Sequence, residues 1–247
     1  MSKLILIKTV YLIFISLQAP SISKAIIPGY LEKISSEKSC INFIAFGDWG
    51  WNGKYYQIAV AKEMGNVAQK CKIDFIVSMG DNFQYSGIKT TKDPLWKINF
   101  EDIYVNPSLN INWYPVLGNH DYYGNPQAEI DYSKISSRWR MPARYYMIHK
   151  TGCDSATVDM FFLDTSPFQK KYYKNISYGV IGQDTAAQLR WLDSCLSVSK
   201  SRWKLVFGHH SIYTGGPHTP DLQNMPGRFE PIFSKWNVCS TTIILEV

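Results

Sequence analysis

Residues 41–50 read INFIAFGDWG, a short apolar run followed by the glycine-led block Gly47-Asp48-Trp49-Gly50. An apolar run of this length, ended by a glycine, is typical of a strand buried in a sheet. Glycine lets the chain turn sharply, and the carboxylate after it can bind a hard or borderline metal ion. A single block of this kind is usually only a turn, so its meaning depends on whether the pattern recurs.

The pattern recurs three more times, each time after an apolar segment. The further blocks are Gly80-Asp81-Asn82, Gly118-Asn119-His120-Asp121 and Gly208-His209-His210. In open α/β sheets, ligands bind just beyond the carboxyl ends of the strands, so four such loops in series predict one shared site. Carboxylate, amide oxygen and imidazole together suit Fe, Mn or Zn better than Ca alone. The sequence therefore predicts a metal site formed by Asp48, Asp81, Asn119 and His209.

Alternating strand-like and helix-like segments predict the fold class. Strands are expected over residues 41–46, 73–79, 113–117, 158–163 and 203–207. Residues 55–71 have helical periodicity, Asp93-Pro94 is a helix start, and Asp184 can cap a later helix. This order predicts an α/β domain with helices on both faces of a sheet. Residues 122–156, rich in Tyr, Ser and Arg, are interpreted as a long surface excursion.

The first residues have the features of a secretory signal peptide. Lys3 and Lys8 flank the apolar run of residues 4–17, and small residues follow. We therefore assign residues 1–24 as a signal peptide and expect a secreted or lumenal (vacuolar) protein with no stable membrane span after cleavage. An uncleaved anchor is the alternative, although the run is short for a span.

Net charge and cysteine content indicate which binding partners and which cellular compartment to expect. The formal net charge of +6 includes three lysines of the first 24 residues, so it is weak evidence for a nucleic-acid partner, and none is predicted. A secreted context permits disulfides, but five cysteines leave at least one thiol over. Cys71 and Cys195 are expected to be core residues on helix faces. Asn175-Ile176-Ser177 is an N-glycosylation sequon and predicts an exposed loop.

The four blocks, in this order, resemble the motifs of the calcineurin-like metallophosphoesterases. Gly-Asp-Trp-Gly at residues 47–50 and Gly-Asp-Asn-Phe at residues 80–83 are similar, more narrowly, to the small, animal-type purple acid phosphatases (tartrate-resistant acid phosphatase). Residues 116–122 and 162–165 agree with this. The resemblance covers about residues 40–238. It implies a sandwich of two mixed β-sheets flanked by helices.

At matching positions, the resemblance implies a two-metal site that holds iron and a second divalent ion, either iron, zinc or manganese. Asp48 would hold the ferric ion and Asp81 would bridge both ions. Asn119 and His209 would hold the second ion. The implied reaction is the hydrolysis of phosphomonoesters by a hydroxide that the two metals activate.

Two histidines match positions on the substrate side of the family's site. His120 would orient the phosphate and assist the leaving group, and His218 would be a second substrate-side imidazole. Both roles are chemically coherent, because a general acid eases the departure of an alkoxide and a cationic imidazole offsets phosphoryl charge.

One departure from the family pattern concerns the ferric site. The tyrosinate that colours these enzymes stands three residues after the bridging aspartate, where this chain has Gln84, with Tyr85 one place later. Either Tyr85 reaches the ion or the site lacks its phenolate. Without a phenolate, manganese, zinc or iron(II) become better suited than iron(III). We expect a weakly coloured or colourless protein.

The other departure concerns the end of the chain. The family completes its site with Gly-His-x-His on a later strand, one histidine for each metal, whereas no histidine follows His218 here. Residues 239–247 are interpreted as a divergent tail, and the domain is expected to lack its C-terminal strands and one protein ligand for each ion. Three functions stay open: an acid phosphatase, a phosphatase-fold scaffold or partner-binding protein without catalysis, and a phosphodiesterase or nucleotidase. The retained internal ligands favour the first, and the oligomeric state is not predicted.

Overall fold

The computed structural model describes residues 13–16, 41–152, 155–176, 179–213, 225–238 and 243–244. Eight strands of these residues form two four-stranded sheets. The first sheet consists, in order, of β1 (Ile13–Ser16), β2 (Asn42–Phe46), β3 (Phe75–Ser78) and β4 (Asn112–Pro115). The second consists of β5 (Tyr146–Thr151), β6 (Thr157–Phe162), β7 (Trp203–Gly208) and β8 (Ile243–Ile244).

Both sheets are mixed, as the resemblance implied. In the first, β2, β3 and β4 are parallel and β1 runs antiparallel at the edge. In the second, β6, β7 and β8 are parallel and β5 is antiparallel. The carboxyl ends of the parallel strands therefore lie together at one edge of each sheet, where the predicted loops begin. The predicted fold class is confirmed.

Four α-helices accompany the sheets in the described residues. They are α1 (Gln57–Cys71), α2 (Pro126–Tyr132), α3 (Thr185–Val198) and α4 (Met225–Lys235). Asp184 caps α3 as predicted, since its carboxylate accepts a hydrogen bond of 2.8 Å from the amide of Ala187. Asp93 also accepts from the amide of Leu95 at 3.0 Å. The segment that follows Asp93 is a π-helical turn, Trp96–Glu101, rather than a regular helix.

Aromatic side chains join the two sheets into a sandwich. Phe43 of β2 meets Phe207 of β7 edge to face, with 5.9 Å between ring centroids. Tyr114 of β4 lies 5.9 Å from Phe162 of β6. Because these rings are almost fully buried, the two sheets share one apolar interior. A second cluster, which includes Phe161, Leu192 and Phe229, packs α3 and α4 against the second sheet.

The interpretation of residues 122–156 as a long surface excursion is wrong. This segment contains α2 and β5. Trp139 is fully buried, donates a hydrogen bond of 3.0 Å to the carbonyl of Glu129, and packs 5.1 Å from the ring of Trp96. The polar composition of this segment suggested a surface position, but Arg138 is buried. Its guanidinium donates to the carbonyl of Tyr104 at 2.6 Å inside the core.

The terminal predictions are only partly covered by the described residues. Ile13–Ser16 of the predicted signal peptide pair with β2, and Ile243–Ile244 of the predicted tail pair with β7. The signal peptide and the missing C-terminal strands stay predictions. Within the described chain, no helix combines the length and apolar character that crossing a membrane requires.

The cysteines and the sequon are also partly described. Cys71 is buried and Cys195 half-buried, as expected of core residues, and both are free thiols. Asn175 is exposed, which agrees with a sequon in an open loop, although Ser177 lies outside the described residues. Cys40, Cys153 and Cys239 lie outside them as well.

Candidate metal centre

The loops after β2 and β3 place two carboxylates side by side. Asp48 and Asp81 both have left-handed backbone conformations, with φ of 59° and 50°. Aspartate is among the few residues that adopt this region, and such geometry is concentrated at functional sites. The amide of Asp48 donates to the carbonyl of Gly80 at 3.0 Å, which ties one loop to the other.

His209, directly after β7, brings the second sheet to the same place. Its Nε2 lies 3.4 Å from Oδ1 of Asp81, and its Nδ1 lies 3.0 Å from the carbonyl of Met79. A hydrogen bond from Nδ1 to a carbonyl fixes the tautomer that leaves Nε2 available to a metal. Asp48, Asp81 and His209 each offer one donor atom, all within 4.8 Å of one another, and all three residues are buried.

This donor set fits a metal ion. Two buried carboxylates are costly without a compensating cation. Burial alone would lower the pKa of His209, but the charges of Asp81 and Asp48 outweigh it and raise that pKa above its ordinary value. The same negative field that favours a proton on the imidazole would favour a cation among the three side chains.

The third glycine-led loop packs directly on Asp81. A Cβ atom at Gly118 would lie 2.2 Å from the amide nitrogen and from Oδ1 of Asp81, so only glycine fits there. The amide of His120 donates to Oδ1 of Asp81 at 2.9 Å. Nε2 of the His120 ring lies 3.8 Å from Oδ2 of Asp81. The structure thus brings His120 to the cluster. Asn119, between them, is half-buried in the same loop, and its role as a ligand stays a prediction.

Two further acids lie under the loops. The carboxylate of Asp121 accepts hydrogen bonds from the amides of Gly118 at 2.8 Å and Phe83 at 3.0 Å, which fastens the third loop to the second. Burial, and then the charge of Asp81, raises the pKa of Asp121 to about 7. Glu129 accepts from the side chain of Asn82 at 3.0 Å, and burial raises its pKa well above the usual range. Asp121 stands within a sequence motif, whereas nothing in the sequence pointed to Glu129.

The fourth block is held by Thr165, three residues beyond the end of β6. Its Oγ1 accepts from the amides of His209 at 3.2 Å and His210 at 3.0 Å, and it lies 2.9 Å from Nδ1 of His210. The other ring nitrogen of His210 is 2.8 Å from the hydroxyl of Tyr172. His210 is therefore a buried structural histidine. His149 lies in the second sheet, away from this cluster, with its Nδ1 2.6 Å from Oδ1 of Asp159.

Gln84, rather than Tyr85, contacts the carboxylate cluster. The side chain of Gln84 is buried, and its Nε2 donates to Oδ2 of Asp81 at 3.2 Å. Tyr85 is half exposed and packs edge to face on Trp51, with 5.2 Å between ring centroids. A hydrogen bond with Tyr55 raises the pKa of Tyr85. Its position thus lends no support to a role as a ligand, which stays a prediction.

Trp49 of the first block and Trp51, just after it, support this loop. Trp49 is buried and donates to Oγ of Ser78 at 2.6 Å. Trp51 donates to the carbonyl of Asp48 at 2.7 Å. His218, the second substrate-side histidine of the prediction, lies outside the described residues.

Comparison with known proteins shows which family the chain resembles. The family model of calcineurin-like phosphoesterases matches residues 41–233. Purple acid phosphatase 17 of Arabidopsis thaliana is 40% identical over 199 residues, which cover 76% of this chain and 57% of that protein. Tartrate-resistant acid phosphatase type 5 of Rattus norvegicus is 36% identical over 201 residues, or 77% of this chain and 62% of that one.

A solved structure shares the fold. It is described as GAP50, the anchor in the inner membrane complex of Plasmodium, and superposes with a TM-score of 0.66 and 28% identity over 81% of this chain and 64% of that one. The chain thus spans between about half and two thirds of the length of these relatives.

Proposed function

Because the chain belongs to the calcineurin-like phosphoesterase family, we propose that it is a metal-dependent acid phosphatase that hydrolyses phosphomonoesters. The proposal includes a two-metal site with iron and a second divalent ion, and a location in the secretory pathway. It is supported by the similarity to purple acid phosphatases over about three quarters of the chain. The observation that carries it is the convergence of Asp48, Asp81 and His209 within 4.8 Å.

Different residues of the described site would have different roles in such a reaction. When bound, the ions supply Lewis acidity and lower the pKa of a water molecule. Asp48 and Asp81 come from adjacent parallel strands and present their carboxylates to one another. His120 has 29% of its side chain exposed, so its ring can reach a bound phosphate ester. In its protonated form it would donate a proton to the leaving oxygen.

A second candidate is a partner-binding protein of the phosphatase fold without catalysis. The observation that favours it is the similarity to a structure described as an anchor in a membrane complex. The two candidates differ in metal content and in turnover, which makes them separable.

The test is metal content and hydrolysis of a generic aryl phosphate between pH 4 and 7. We expect two ions per chain and turnover in the wild type. Asp81→Asn should lower metal affinity more than about tenfold and abolish turnover. Asp102→Asn, at an exposed carboxylate that pairs with Lys97, is the matched control and should change neither. Zero or one ion with no turnover would favour the partner-binding candidate.

The proposed location is testable separately. It is supported by the apolar N-terminal run and by the exposed Asn175. In a eukaryotic secretory host, endoglycosidase treatment should increase the electrophoretic mobility of the wild-type protein. Asn175→Gln should show the higher mobility without treatment. Retention of the protein in the cytosol with no glycan would contradict this part of the proposal.

A further inference from the structure

Gln84 joins both aspartate loops. Its backbone amide donates to the carbonyl of Gly50 at 3.0 Å, in the loop that carries Asp48. Its side-chain Nε2 donates to Oδ2 of Asp81 at 3.2 Å. Only 1% of the residue is exposed. The side chain is thus fixed beside the carboxylate cluster rather than extended into solvent.

The oxygen of the same amide has no hydrogen-bond partner among the residues that the structure describes. Oε1 of Gln84 is buried and accepts no hydrogen bond from any residue that the structure describes. A buried carbonyl oxygen without a donor is costly, and such groups in proteins are nearly always satisfied by a water molecule or an ion. Because Nε2 of this amide bonds Asp81, the oxygen lies beside the cluster that fits a cation.

We propose that Gln84 belongs to the metal centre, with Nε2 orienting Asp81 and Oε1 serving as a neutral oxygen ligand to one of the ions. This inference rests on the proposed function, because it assigns a ligand to that same site. An amide oxygen is a suitable donor for hard and borderline divalent ions.

The charge of the donor set then selects the ion. Asp48 and Asp81 contribute two negative charges, and the amide of Gln84 and the imidazole of His209 contribute none when the imidazole is neutral. This low negative charge suits divalent ions, whereas a phenolate in place of the amide would add a third negative charge and favour iron(III). The centre should therefore hold manganese, zinc or iron(II) in preference to ferric iron.

The test compares metal affinity and colour in variants of the full chain. Titration with Mn²⁺ and with Zn²⁺ should show binding weakened about tenfold or more in Gln84→Leu, which loses both functions of the amide. Tyr85→Phe is the matched control at the neighbouring position and should bind like the wild type. Gln84→Glu keeps an oxygen donor and should retain Mn²⁺ binding, which covers the case in which Gln84→Leu does not fold.

Loading with ferric iron allows a second test by visible absorption spectroscopy. We expect the wild type to lack an intense visible band after ferric loading and Gln84→Tyr to gain one. Equal Mn²⁺ affinities of the wild type and a folded Gln84→Leu would overturn the inference and leave the proposed function standing. A wild-type band that Tyr85→Phe removes, or an iron-loaded Gln84→Tyr without a band, would also overturn it. A wild type that binds no metal would overturn both.

Discussion

Nε2 of His209 lies 3.4 Å from Oδ1 of Asp81, although the two residues follow strands of different sheets. The candidate metal centre is therefore assembled across the sandwich and not within one sheet. Its geometry depends on the apolar contact between the sheets, where Phe43 meets Phe207. Residues that hold the loop of His209 against the second sheet should consequently control metal affinity without contacting the ion.

Thr165 is the clearest case, because its hydroxyl accepts from the amides of both His209 and His210. Thr165→Val has nearly the same shape but leaves two buried amides without an acceptor, so the loop should loosen. We expect metal affinity to fall about tenfold while the fold is kept. Thr165→Ser retains the hydroxyl and is the control. Equal metal titrations for the valine and serine variants would contradict the assigned role.

Gly118 tests the close approach of the third loop to Asp81. A methyl group there would lie 2.2 Å from the amide and carboxylate of Asp81, so Gly118→Ala must displace one of the two loops. We expect loss of metal binding and a lower free energy of unfolding, by about 1–3 kcal/mol for overpacking. The control is Gly227→Ala in α4, where the added methyl meets nothing within 4 Å. Calorimetric titration and urea unfolding of both variants would settle the comparison.

The sequence was most informative about the ends of the parallel strands. Strands in the interior of a sheet carry apolar runs that stop abruptly at a glycine, so Asp48, Asp81 and His209 could be assigned to one site from their positions along the chain. The supporting residues could not be assigned in this way. Thr165 acts through hydrogen bonds to the amides of His209 and His210, which are distant in sequence. The hydrogen bond from Gln84 to Asp81 is local, but it depends on how the loop folds.

The segment around Trp139 shows where composition fails. Arginine, serine and tyrosine usually mark the surface, yet Arg138 is buried because backbone carbonyls and Glu101 satisfy its guanidinium. Whether a polar side chain finds such partners is decided by the packing of other segments, which periodicity does not report. The edge strand β5 was missed for a different reason. Alternate residues of it face the interior, but its sequence does not alternate apolar and polar side chains.

Asp159 should stabilise the second sheet at and above neutral pH. Burial opposes its ionisation, but hydrogen bonds from Ser199 and His149 outweigh burial and lower its pKa. A lowered carboxyl pKa contributes stability that is present above the unfolded value of about 3.9 and is lost as pH falls through the folded pKa. Asp159→Asn should lower the free energy of unfolding by about 1–3 kcal/mol at pH 7 and by less at pH 3.

Urea unfolding of this variant at pH 3, 5 and 7 provides the measurement. Asp131→Asn removes an exposed carboxylate that pairs with Lys134 on the surface and serves as the control, with little change at any pH. A loss of stability in Asp159→Asn that is the same at pH 3 and pH 7 would show that ionisation of Asp159 is not involved.

Asp164 should have the opposite pH dependence. It is fully buried, and burial raises its pKa to about 6 in spite of hydrogen bonding by Tyr122 and the nearby charge of Arg144. Between pH 4 and 6 the folded protein binds a proton that the unfolded chain releases, so this group lowers stability as pH rises and has no further effect above about 6. Asp164→Asn removes that dependence. Relative to the wild type, the variant should gain up to about 3 kcal/mol between pH 4 and 7.

The measurement for Asp164 is the difference in unfolding free energy between variant and wild type across that range. Tyr122→Phe provides a second readout, because it removes the hydroxyl that bonds the carboxylate of Asp164. Without that hydrogen bond the ionised carboxylate is less stabilised, so the pKa of Asp164 should rise further. The pH at which stability changes should therefore be higher in Tyr122→Phe than in the wild type. A difference that stays constant from pH 4 to 7 in Asp164→Asn would mean that the carboxyl titrates alike in the folded and unfolded protein.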